Sequence, residues 1–415
     1  MSCWLGMKGR AVSEGKRLVP KLRFPQFRGL SGWEREKVGA LVETVTPPKK
    51  LATASYSRLG PYPIIDQSQN AICGWTDDQE ALIQDGLPVV IFGDHTCILK
   101  LVDRPFAQGA DGIKILKSHS KISTSYLYQY LSYQPVVTEE YKRHYSILKE
   151  KTVLFPDFKT GEQQKIADCL SSLDELIGAQ ARKVHALETQ KKGLLQQLFS
   201  REGETQQRLR FPEFRDVQKW MSKELADLVE IYSGSTPSKF NPEFWNGSIP
   251  WVSAKDMKRL FLEDAEDHIS DAAASCGARV VPPGTLLLLT RGMTLLKDIP
   301  ICLLQREMSF NQDVKALRPK AGVDGTFLAL MLMGNKQRLL DIVDIAGHGT
   351  GKLNTDELKA FSLMLPCPKE QQRIAECLTS LDAVITAATE ERETLKTYKN
   401  GLMQQLFPSA EEAVA

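Results

Sequence analysis

Apolar residues recur at alternating steps of four and three along two stretches of the chain, 162–199 and 370–407. In the first stretch the recurring apolar residues are Ile166, Leu170, Leu173, Ile177, Val184, Leu187, Leu194 and Leu198. In the second stretch they are Ile374, Leu378, Leu381, Ile385, Ala388, Leu395, Leu402 and Leu406. A heptad pattern sustained over this length predicts a coiled coil.

Each stretch could form a helix of roughly 60 Å, at about 1.5 Å per residue. Two similar helices of equal length in one chain favour pairing with each other. We therefore predict an antiparallel coiled coil with internal pseudo-twofold symmetry, which would place a domain at each end. Polar seam residues would set the register at some cost in stability: Gln180, Lys191, Arg392 and Lys399. The alternative is that each stretch is an amphipathic helix packed on a domain.

The two helical stretches belong to a larger internal repeat. EQQKIADCLSSLDELI begins at Glu162, and EQQRIAECLTSLDAVI begins at Glu370. Upstream of each copy, LRFPQF at Leu22–Phe27 returns as LRFPEF at Leu209–Phe214. The period is too long for a solenoid, so the pattern indicates duplication of a whole domain.

The segments between the repeated motifs, 44–155 and 231–365, consist of short β-rich runs separated by turn residues. Examples are YPIID and LPVVIFGDHTCILKLVD in the first segment and IPWVSAKD in the second. Each segment closes with a predicted helix, STSYLYQYLS or GTFLALMLMGNKQRLLDIV. The predicted fold class is α+β. It has mixed α/β domains at 22–158 and 204–367, long helices at 159–203 and 368–408, an N-terminal extension at 1–21 and a C-terminal tail at 409–415.

Composition narrows the class of protein. The chain has 415 residues, 42% hydrophobic and 25% charged, which is typical of a globular protein with two or three domains. Eight cysteines are scattered without a CxxC pair, which favours a reducing compartment over disulfides or a zinc site. The N-terminus lacks the apolar run of a signal peptide, and TLLLLT is too short to cross a bilayer. We therefore expect a cytoplasmic protein. The net charge of +2 neither supports nor excludes DNA binding.

Three motifs suggest catalysis, but each is incomplete. GHGTGKL resembles a phosphate-binding loop, yet Ala346 stands where the loop requires glycine and Leu353 where it requires Ser or Thr. NPEF has Glu243 in place of the second proline of an amino-methyltransferase motif, and we interpret it as a turn. EDAED is more typical of a solvated loop than of a nuclease metal site. No catalytic residue, metal or cofactor is predicted.

The order of the repeated motifs resembles the specificity subunit of type I restriction-modification systems. LRFPxF, a β-rich domain, EQQxIAxxLxSLD and QQLF follow one another twice and cover nearly the whole chain. YPIIDQSQ, VVIFGDHT and FAQGADGIKIL resemble one class of target recognition domain. GSTPSKFNPEFWNGSIPWVSAKDM, SFNQDVKAL and GHGTGKLN resemble another. The first half has RHYSILKE where the second has GHGTGKLNTDELK, so the role of this loop does not carry over to the first domain.

The resemblance implies a DNA-binding subunit that is not itself an enzyme. Each target recognition domain would bind one half of a bipartite site in double-stranded DNA. Methyltransferase subunits and restriction subunits would carry out DNA methylation and cleavage. A pseudo-twofold scaffold offers two similar docking surfaces, so we expect two methyltransferase copies and no membrane partner.

Candidate DNA-contacting residues are polar or basic side chains in loops that flank the predicted strands. Lys and Arg bind phosphates, while Gln, Asn, Arg, Lys and Asp can pair with base edges. In the first domain the candidates are Gln67, Ser68, Gln69, Asp94, His95, Thr96, Asp111 and Lys114. In the second they are Ser235, Thr236, Ser238, Lys239, Lys255, Asp256, Arg291, Thr294, Asn311, Gln312, Lys315, His348 and Lys352. Lys114 and Lys315 occupy matching positions, which favours a shared contact to the DNA backbone.

Two other functions stay open from the sequence. The chain could be a coiled-coil adaptor that binds proteins and not DNA, or a standalone DNA methyltransferase or nuclease. A salt-sensitive shift of a bipartite duplex distinguishes a DNA-binding subunit from an adaptor. Methyl transfer by the isolated chain would support a standalone enzyme.

Overall fold

The computed structural model describes residues 18–110, 112–137, 143–199, 208–345 and 349–408. The candidates Asp111 and His348 lie outside the described residues, as do the C-terminal tail and most of the N-terminal extension. The chain divides into two compact units. The first unit comprises Met1–Arg182 and Thr389–Ala415, and the second comprises Lys183–Ala388.

The first unit contains two four-stranded sheets and one separate pair of strands. In chain order its strands are β1 (Glu34–Lys37), β2 (Val42–Val45), β3 (Tyr62–Ile65), β4 (Gly74–Thr76), β5 (Leu82–Ile83), β6 (Val89–Gly93), β7 (Leu99–Val102), β8 (Phe106–Gln108), β9 (Ile113–Ser118) and β10 (Thr152–Phe155). Its helices are α1 (Val38–Leu41), α2 (Thr124–Tyr133), α3 (Tyr145–Glu150), the first part of α4 (Glu162–Leu198) and the last part of α10 (Pro368–Leu406). One sheet has the order β2-β9-β6-β7, the other has the order β4-β3-β8-β5, and β1 pairs with β10.

Strand β6 shows why the first unit folds as layers. Its sequence, VVIFG, is apolar and buried at every position, as expected for a strand covered on both faces. Because successive side chains point to opposite faces, Val90 and Phe92 join a core with α2 and the long helices, while Val89 and Ile91 join another with Phe106. The β2-β9-β6-β7 sheet therefore lies between a helical layer and the second sheet.

The second unit has the same plan with additions. Its strands are β11 (Met221–Glu224), β12 (Val229–Ser233), β13 (Ile249–Val252), β14 (Phe261–Leu262), β15 (Asp267–Ile269), β16 (Val280–Val281), β17 (Leu286–Leu289), β18 (Arg291–Gly292), β19 (Ile301–Leu304), β20 (Met308–Phe310), β21 (Val314–Pro319), β22 (Val343–Ile345), β23 (Gly351–Leu353) and β24 (Ser362–Leu365). Its helices are α5 (Leu225–Leu228), α6 (Asp271–Ser275), α7 (Gly325–Gly334), α8 (Lys336–Asp341), α9 (Thr355–Lys359), the last part of α4 and the first part of α10 (Pro368–Leu406).

The sheet orders of the second unit match those of the first. The main sheet is β12-β21-β17-β19-β14, the second sheet is β15-β13-β20-β16, and β11 pairs with β24. Only β14 and a three-stranded sheet, β18-β23-β22, lack a counterpart among the described strands of the first unit. These strands lie in the longer second variable segment. The predicted α+β fold and its internal repeat are confirmed.

One predicted helix is two helices in the structure. GTFLALMLMGNKQRLLDIV was expected to be continuous, but α7 ends at Gly334 and α8 begins at Lys336. The break falls at Asn335, whose side-chain amide donates to the carbonyl of Met331 at 2.8 Å. Asparagine competes with the helical hydrogen-bond ladder in this way, which favours a helix end.

The repeated LRFP and EQQ motifs contact each other in both units. Arg23 donates to both carboxylate oxygens of Glu162 at 2.8 and 2.6 Å. Arg210 makes the same contact with Glu370 at 2.8 and 2.7 Å. In both pairs the glutamate side chain is 1% exposed. A buried carboxylate requires a charged partner, so these two motifs are needed together at each junction.

The glutamine after each glutamate fixes the same junction. Gln163 donates to the carbonyls of Pro156 and Lys121 and accepts from the backbone of Ser123. Gln371 makes three equivalent bonds, to Pro366, Gly322 and Asp324. In each set two bonds join the start of the long helix to the loop that precedes α2 or α7, and the third joins it to the residue that follows β10 or β24. The repeated sequence therefore encodes a repeated junction between the sheets and the long helix.

Helices α4 and α10 run antiparallel along the parts that share a unit. In the first unit Asp174 contacts Lys399 and Gln180 contacts Glu391. Residue numbers therefore rise along α4 as they fall along α10. In the second unit Lys191 contacts Asp382. All the predicted apolar seam side chains are buried or half-buried. The predicted seam and antiparallel pairing are confirmed within each unit.

Candidate nucleic-acid interface

In the second unit, loops at one end of the main sheet bring several candidate residues together. Ser235 donates from its backbone to Phe310 at 3.0 Å, and the hydroxyl of Thr236 bonds to Gln312. The amino group of Lys315, at the start of β21, donates to Ser233 at the end of β12 at 2.7 Å. The loops that follow β12 and precede β21 therefore meet.

Four cations lie around this end of the sheet. Arg291 on β18 pairs across the strands with Lys352 on β23, and both are exposed. The pKa of Lys315 is lowered, first by burial and then by the positive charges of Arg291 and Lys359. Lys359 forms an ion pair with Asp356 at 3.2 Å, whereas no ion pair among the described residues involves Arg291, Lys315 or Lys352. These three cations favour binding of an anion such as DNA phosphate.

The first unit has a matching pair of lysines. Lys114 lies in β9, at the place of Lys315 in β21, and its amino group is 5.6 Å from the centre of the Tyr145 ring. Lys149 on α3 lies 5.5 Å from the same ring centre, so both lysines contact the Tyr145 ring. Lys149 and Lys359 each follow a buried leucine near the end of equivalent short helices. Both units therefore carry a lysine pair between the main sheet and the helix that follows.

Sequence reasoning identified one lysine of each pair and missed the other. The signal for the missed residues was weak, because it consists only of the dipeptide Leu-Lys in the otherwise different segments YSILKE and TDELK. Only the packing of α3 and α9 beside β9 and β21 makes Lys149 and Lys359 equivalent.

The remaining candidates of the first unit cluster around Gln67. The hydroxyl of Thr96 donates to the carbonyl of Gln67 at 2.9 Å, which joins the loop after β3 to the loop after β6. Gly112 has a φ of +103°, and a Cβ there would lie 2.5 Å from the amide nitrogen of Gln67. Ser68 and His95 are half-buried beside these residues, and Gln69 is exposed. Three loops therefore converge here, next to Lys114.

Asp94 has a structural position. It is only 5% exposed, and its carboxylate accepts from the backbone nitrogen of Tyr145 at 2.8 Å, at the start of α3. Its carbonyl accepts from the backbone of His144. These bonds turn the acidic side chain inward, where it holds α3 in place. The buried Asp94 carboxylate is therefore not accessible to a base edge.

Two candidates of the second unit, Lys255 and Asp256, have partners that constrain them. Lys255 forms ion pairs with Glu266 and Asp267 at 3.2 and 2.9 Å, and Asp267 raises the pKa of its amino group. Asp256 accepts from the backbones of Ser253 and Glu266, and so shapes its loop. The nearby carboxylates offset the charge of Lys255, which makes it a poor phosphate contact.

The other candidates of the second unit lie on exposed or half-exposed loops. Asn311 accepts from the backbone of Asp313 and is half-buried. Thr294 is exposed in the turn that follows Arg291. Ser238 and Lys239 are exposed in the loop between β12 and β13. All four leave polar groups accessible at the surface.

Within the described residues no group of three or more His, Cys, Asp or Glu side chains could hold a metal ion. A search of the same residues finds no helix that is both long and apolar enough to cross a membrane.

Comparison with known proteins shows which proteins the chain resembles. Residues 217–397 match the family model described as Type I restriction modification DNA specificity domain. The specificity subunit of the type I restriction enzyme EcoR124I/EcoR124II from Escherichia coli is 27% identical over 368 residues, which are 85% of this chain and 87% of that protein. The MjaIX specificity subunit from Methanocaldococcus jannaschii is 30% identical over 193 residues, which are 45% of this chain and 44% of that protein.

Solved structures support the fold. The crystal structure of a type I restriction-modification system S subunit from M. genitalium aligns with a TM-score of 0.66 at 16% identity, over 94% of this chain and 100% of that one. A chain from a structural study of complex assembly in the type I R-M system aligns with a TM-score of 0.53 at 15% identity, over 91% of this chain and 98% of that one. The resemblance found in the sequence is confirmed, because the matched family model is a specificity domain and both relatives are specificity subunits of type I restriction enzymes.

Proposed function

We propose that this chain is the DNA sequence-specificity subunit of a type I restriction-modification complex. Each unit binds one half of a bipartite site in double-stranded DNA. The observation that carries this proposal is the lysine pair present in both units, Lys114 with Lys149 and Lys315 with Lys359. Phosphate contacts are independent of sequence, so they can be shared by both units, while base contacts must differ.

The loops beside the lysine pairs do differ between the units, and they supply the base-reading side chains. In the first unit Gln67, Gln69, His95 and Thr96 serve this role. In the second unit the exposed groups are Arg291, Lys352, Thr236 and Gln312. Arg and Lys pair best with guanine and Gln with adenine, so the two half-sites have different sequences.

The domain scheme follows the repeated junctions. Residues 22–158 and 204–367 form the two target recognition domains, and 159–203 and 368–408 form the spacer helices. The Arg23–Glu162 and Arg210–Glu370 pairs support these boundaries, because each ties the start of a domain to the start of a spacer helix.

The long helices recruit two methyltransferase subunits. Restriction subunits join the complex through these methyltransferase subunits. Leu176 on α4 and Val384 on α10 support this part of the proposal. They hold the same place in the repeat and are 54% and 47% exposed. An exposed apolar residue at equivalent positions suits two copies of one partner. Catalysis belongs to those partners and not to this chain.

Base-resolved mapping of methylated adenines tests the proposal, using DNA from cells that carry this chain with its methyltransferase. The expected result is one bipartite motif with a constant gap, which disappears when the chain is deleted. Methylation that persists unchanged without the chain would overturn the proposal. The adaptor alternative predicts a complex with the methyltransferase but no preference for the mapped duplex over a scrambled one.

A further inference from the structure

In each unit one large apolar side chain is more exposed than the other described ones. Among the described residues Leu59 is the most exposed large apolar residue of the first unit, at 86%, and Phe240 of the second, at 99%. Leu59 lies between β2 and β3, and Phe240 lies between β12 and β13, which are the equivalent strands. The same loop therefore presents an apolar tip in both units, although the loop sequences differ.

A basic residue precedes each tip. Arg58 stands before Leu59 and Lys239 before Phe240, and both cations are exposed. An exposed apolar side chain gains free energy when a partner covers it, and the adjoining cation selects a partner with negative charge. DNA offers this combination, because apolar base faces lie beside phosphates.

Both tips are held by hydrogen bonds at the edge of the second sheet. In the first unit Ser57 and Trp75 exchange backbone bonds of 2.9 and 3.0 Å next to Leu59. In the second unit the indole of Trp245 donates to the carbonyl of Ser238 at 3.1 Å, and the backbone of Asn241 donates to the same carbonyl at 3.3 Å. The tips are thus ordered before any partner binds, which lowers the entropic cost of binding.

The same loops adjoin the basic ends described above. The hydroxyl of Tyr56 accepts from Ala110, in the loop that leads into β9 and Lys114. Thr236 bonds to Gln312, in the loop that leads into β21 and Lys315. A duplex bound at the lysine pair of either unit would therefore lie beside that unit's apolar tip.

We propose that Leu59 and Phe240 are wedge residues that insert at a base step of the bound DNA, while Arg58 and Lys239 contact the adjoining phosphates. This inference rests on the proposed function. Apolar side chains inserted between bases partly unstack them and kink the duplex by about 20–90°. Specificity then depends on how easily the step at that point unstacks, as well as on base-edge contacts.

The test uses the full chain in complex with its methyltransferase and a duplex that carries the mapped methylation site. Separate duplexes carry 2-aminopurine at successive steps of each half-site, since its fluorescence rises when stacking is lost. The wild-type complex should raise the signal at one step in each half-site. Phe240→Ala should abolish the rise in one half-site only, and Leu59→Ala in the other. Phe240→Trp should retain it.

Affinity provides a second measurement. Phe240→Ala should weaken binding about five- to one-hundred-fold, the range expected for loss of one base–aromatic stack. Phe158→Ala is the matched control, because Phe158 is a half-exposed phenylalanine beside α4 and far in sequence from these loops. It should leave both the signal and the affinity unchanged. Phe240 is almost fully exposed, so its truncation should leave the melting temperature unaltered.

The outcomes separate this inference from the proposed function. If Phe240→Ala and Leu59→Ala bind the mapped duplex with wild-type affinity and fluorescence, the wedge is refuted while the specificity function stands. If the wild-type complex does not prefer the mapped duplex to a scrambled one, the proposed function itself fails.

Discussion

The amino group of Lys399 lies 2.6 Å from both carboxylate oxygens of Asp174. Lys191 and Asp382 make the equivalent contact at 2.5 Å. Lys191 holds the place of Lys399 in the repeat and Asp382 holds the place of Asp174, so here the lysine comes from α4 and the aspartate from α10. In both pairs the lysine comes from the seam that the heptad pattern predicted. An ion pair formed twice fixes the register of an antiparallel helix pair more strictly than apolar contacts alone.

Charge reversal at Lys191 should destabilise the protein, and reversal of both partners should restore it. Lys191→Asp places two carboxylates together. Because this pair is partly buried, we expect a loss of about 1–2 kcal/mol in the free energy of unfolding, between the values for exposed and buried pairs. Adding Asp382→Lys should recover most of the loss. Calorimetric melting of the variants measures both effects.

The repeat supplies a control for this swap. Combining Lys191→Asp with Asp174→Lys gives the same net charge but reverses one member of each pair. This variant should be less stable than either single variant. A melting temperature equal to that of the Lys191→Asp, Asp382→Lys variant would show that general charge, and not register, accounts for the effect.

The buried junctions should be the most sensitive ionic sites of the two units. Glu370→Ala removes the partner of Arg210 from a side-chain position that is 1% exposed. We expect a loss of about 3 kcal/mol or more, because one charge is left at a partly buried site without its partner. Hydrogen exchange should become faster in the second unit and remain unchanged in the first.

An exposed Arg–Glu pair in the same unit provides a control that shows whether the loss of stability depends on burial of the pair or only on removal of a charge. Glu213 pairs with Arg373 in the same unit, but both side chains are about half exposed. Glu213→Ala should therefore change stability by less than about 1 kcal/mol. Equal losses for the two variants would contradict the structural role of the junction.

The features predictable from the sequence are those that local pattern determines. The heptad seam, the continuous apolar run of β6 and the repeated LRFP and EQQ motifs each depend on residue type at neighbouring or regularly spaced positions. The candidate interface was less predictable, because a polar side chain in a turn can either face solvent or form a hydrogen bond with the protein's own backbone. The carboxylate of Asp94 accepts such a bond from Tyr145 at the start of α3, which is 51 residues further along the chain. Lys255 is neutralised by carboxylates on a neighbouring strand and loop. Neither outcome is visible before tertiary contacts are known.

Recognition should be modular between the two units. Gln69→Ala should relax the preference for one base in the half-site bound by the first unit, and Arg291→Ala should do so in the other half-site. Loss of a bidentate base contact typically removes about 1–3 kcal/mol of discrimination. Sequencing of duplexes selected from a random pool measures this directly. A change in both half-sites from either variant would contradict the assignment of one half-site to each unit.

Lys315→Met should weaken DNA binding without destabilising the fold. Burial and the charges of Arg291 and Lys359 lower the pKa of Lys315 in the folded protein. Between this lowered pKa and the ordinary value of 10.5, the unfolded chain binds more protons than the folded one, so stability rises with pH. Below that range the charged lysine penalises only the folded state. Methionine removes this penalty, so at neutral pH the melting temperature should stay constant or increase.

The same substitution should weaken binding to the mapped duplex and to duplexes of altered sequence by a similar factor. The slope of log affinity against log salt concentration should become shallower by about one, as expected for loss of one phosphate contact. Lys320→Met is the control, because Lys320 follows the opposite end of β21 and donates to the carbonyl of Ala226 at 2.8 Å. That variant should bind DNA as the wild type does. If both variants lowered the salt slope equally, the basic end of the sheet would not be the DNA-binding surface.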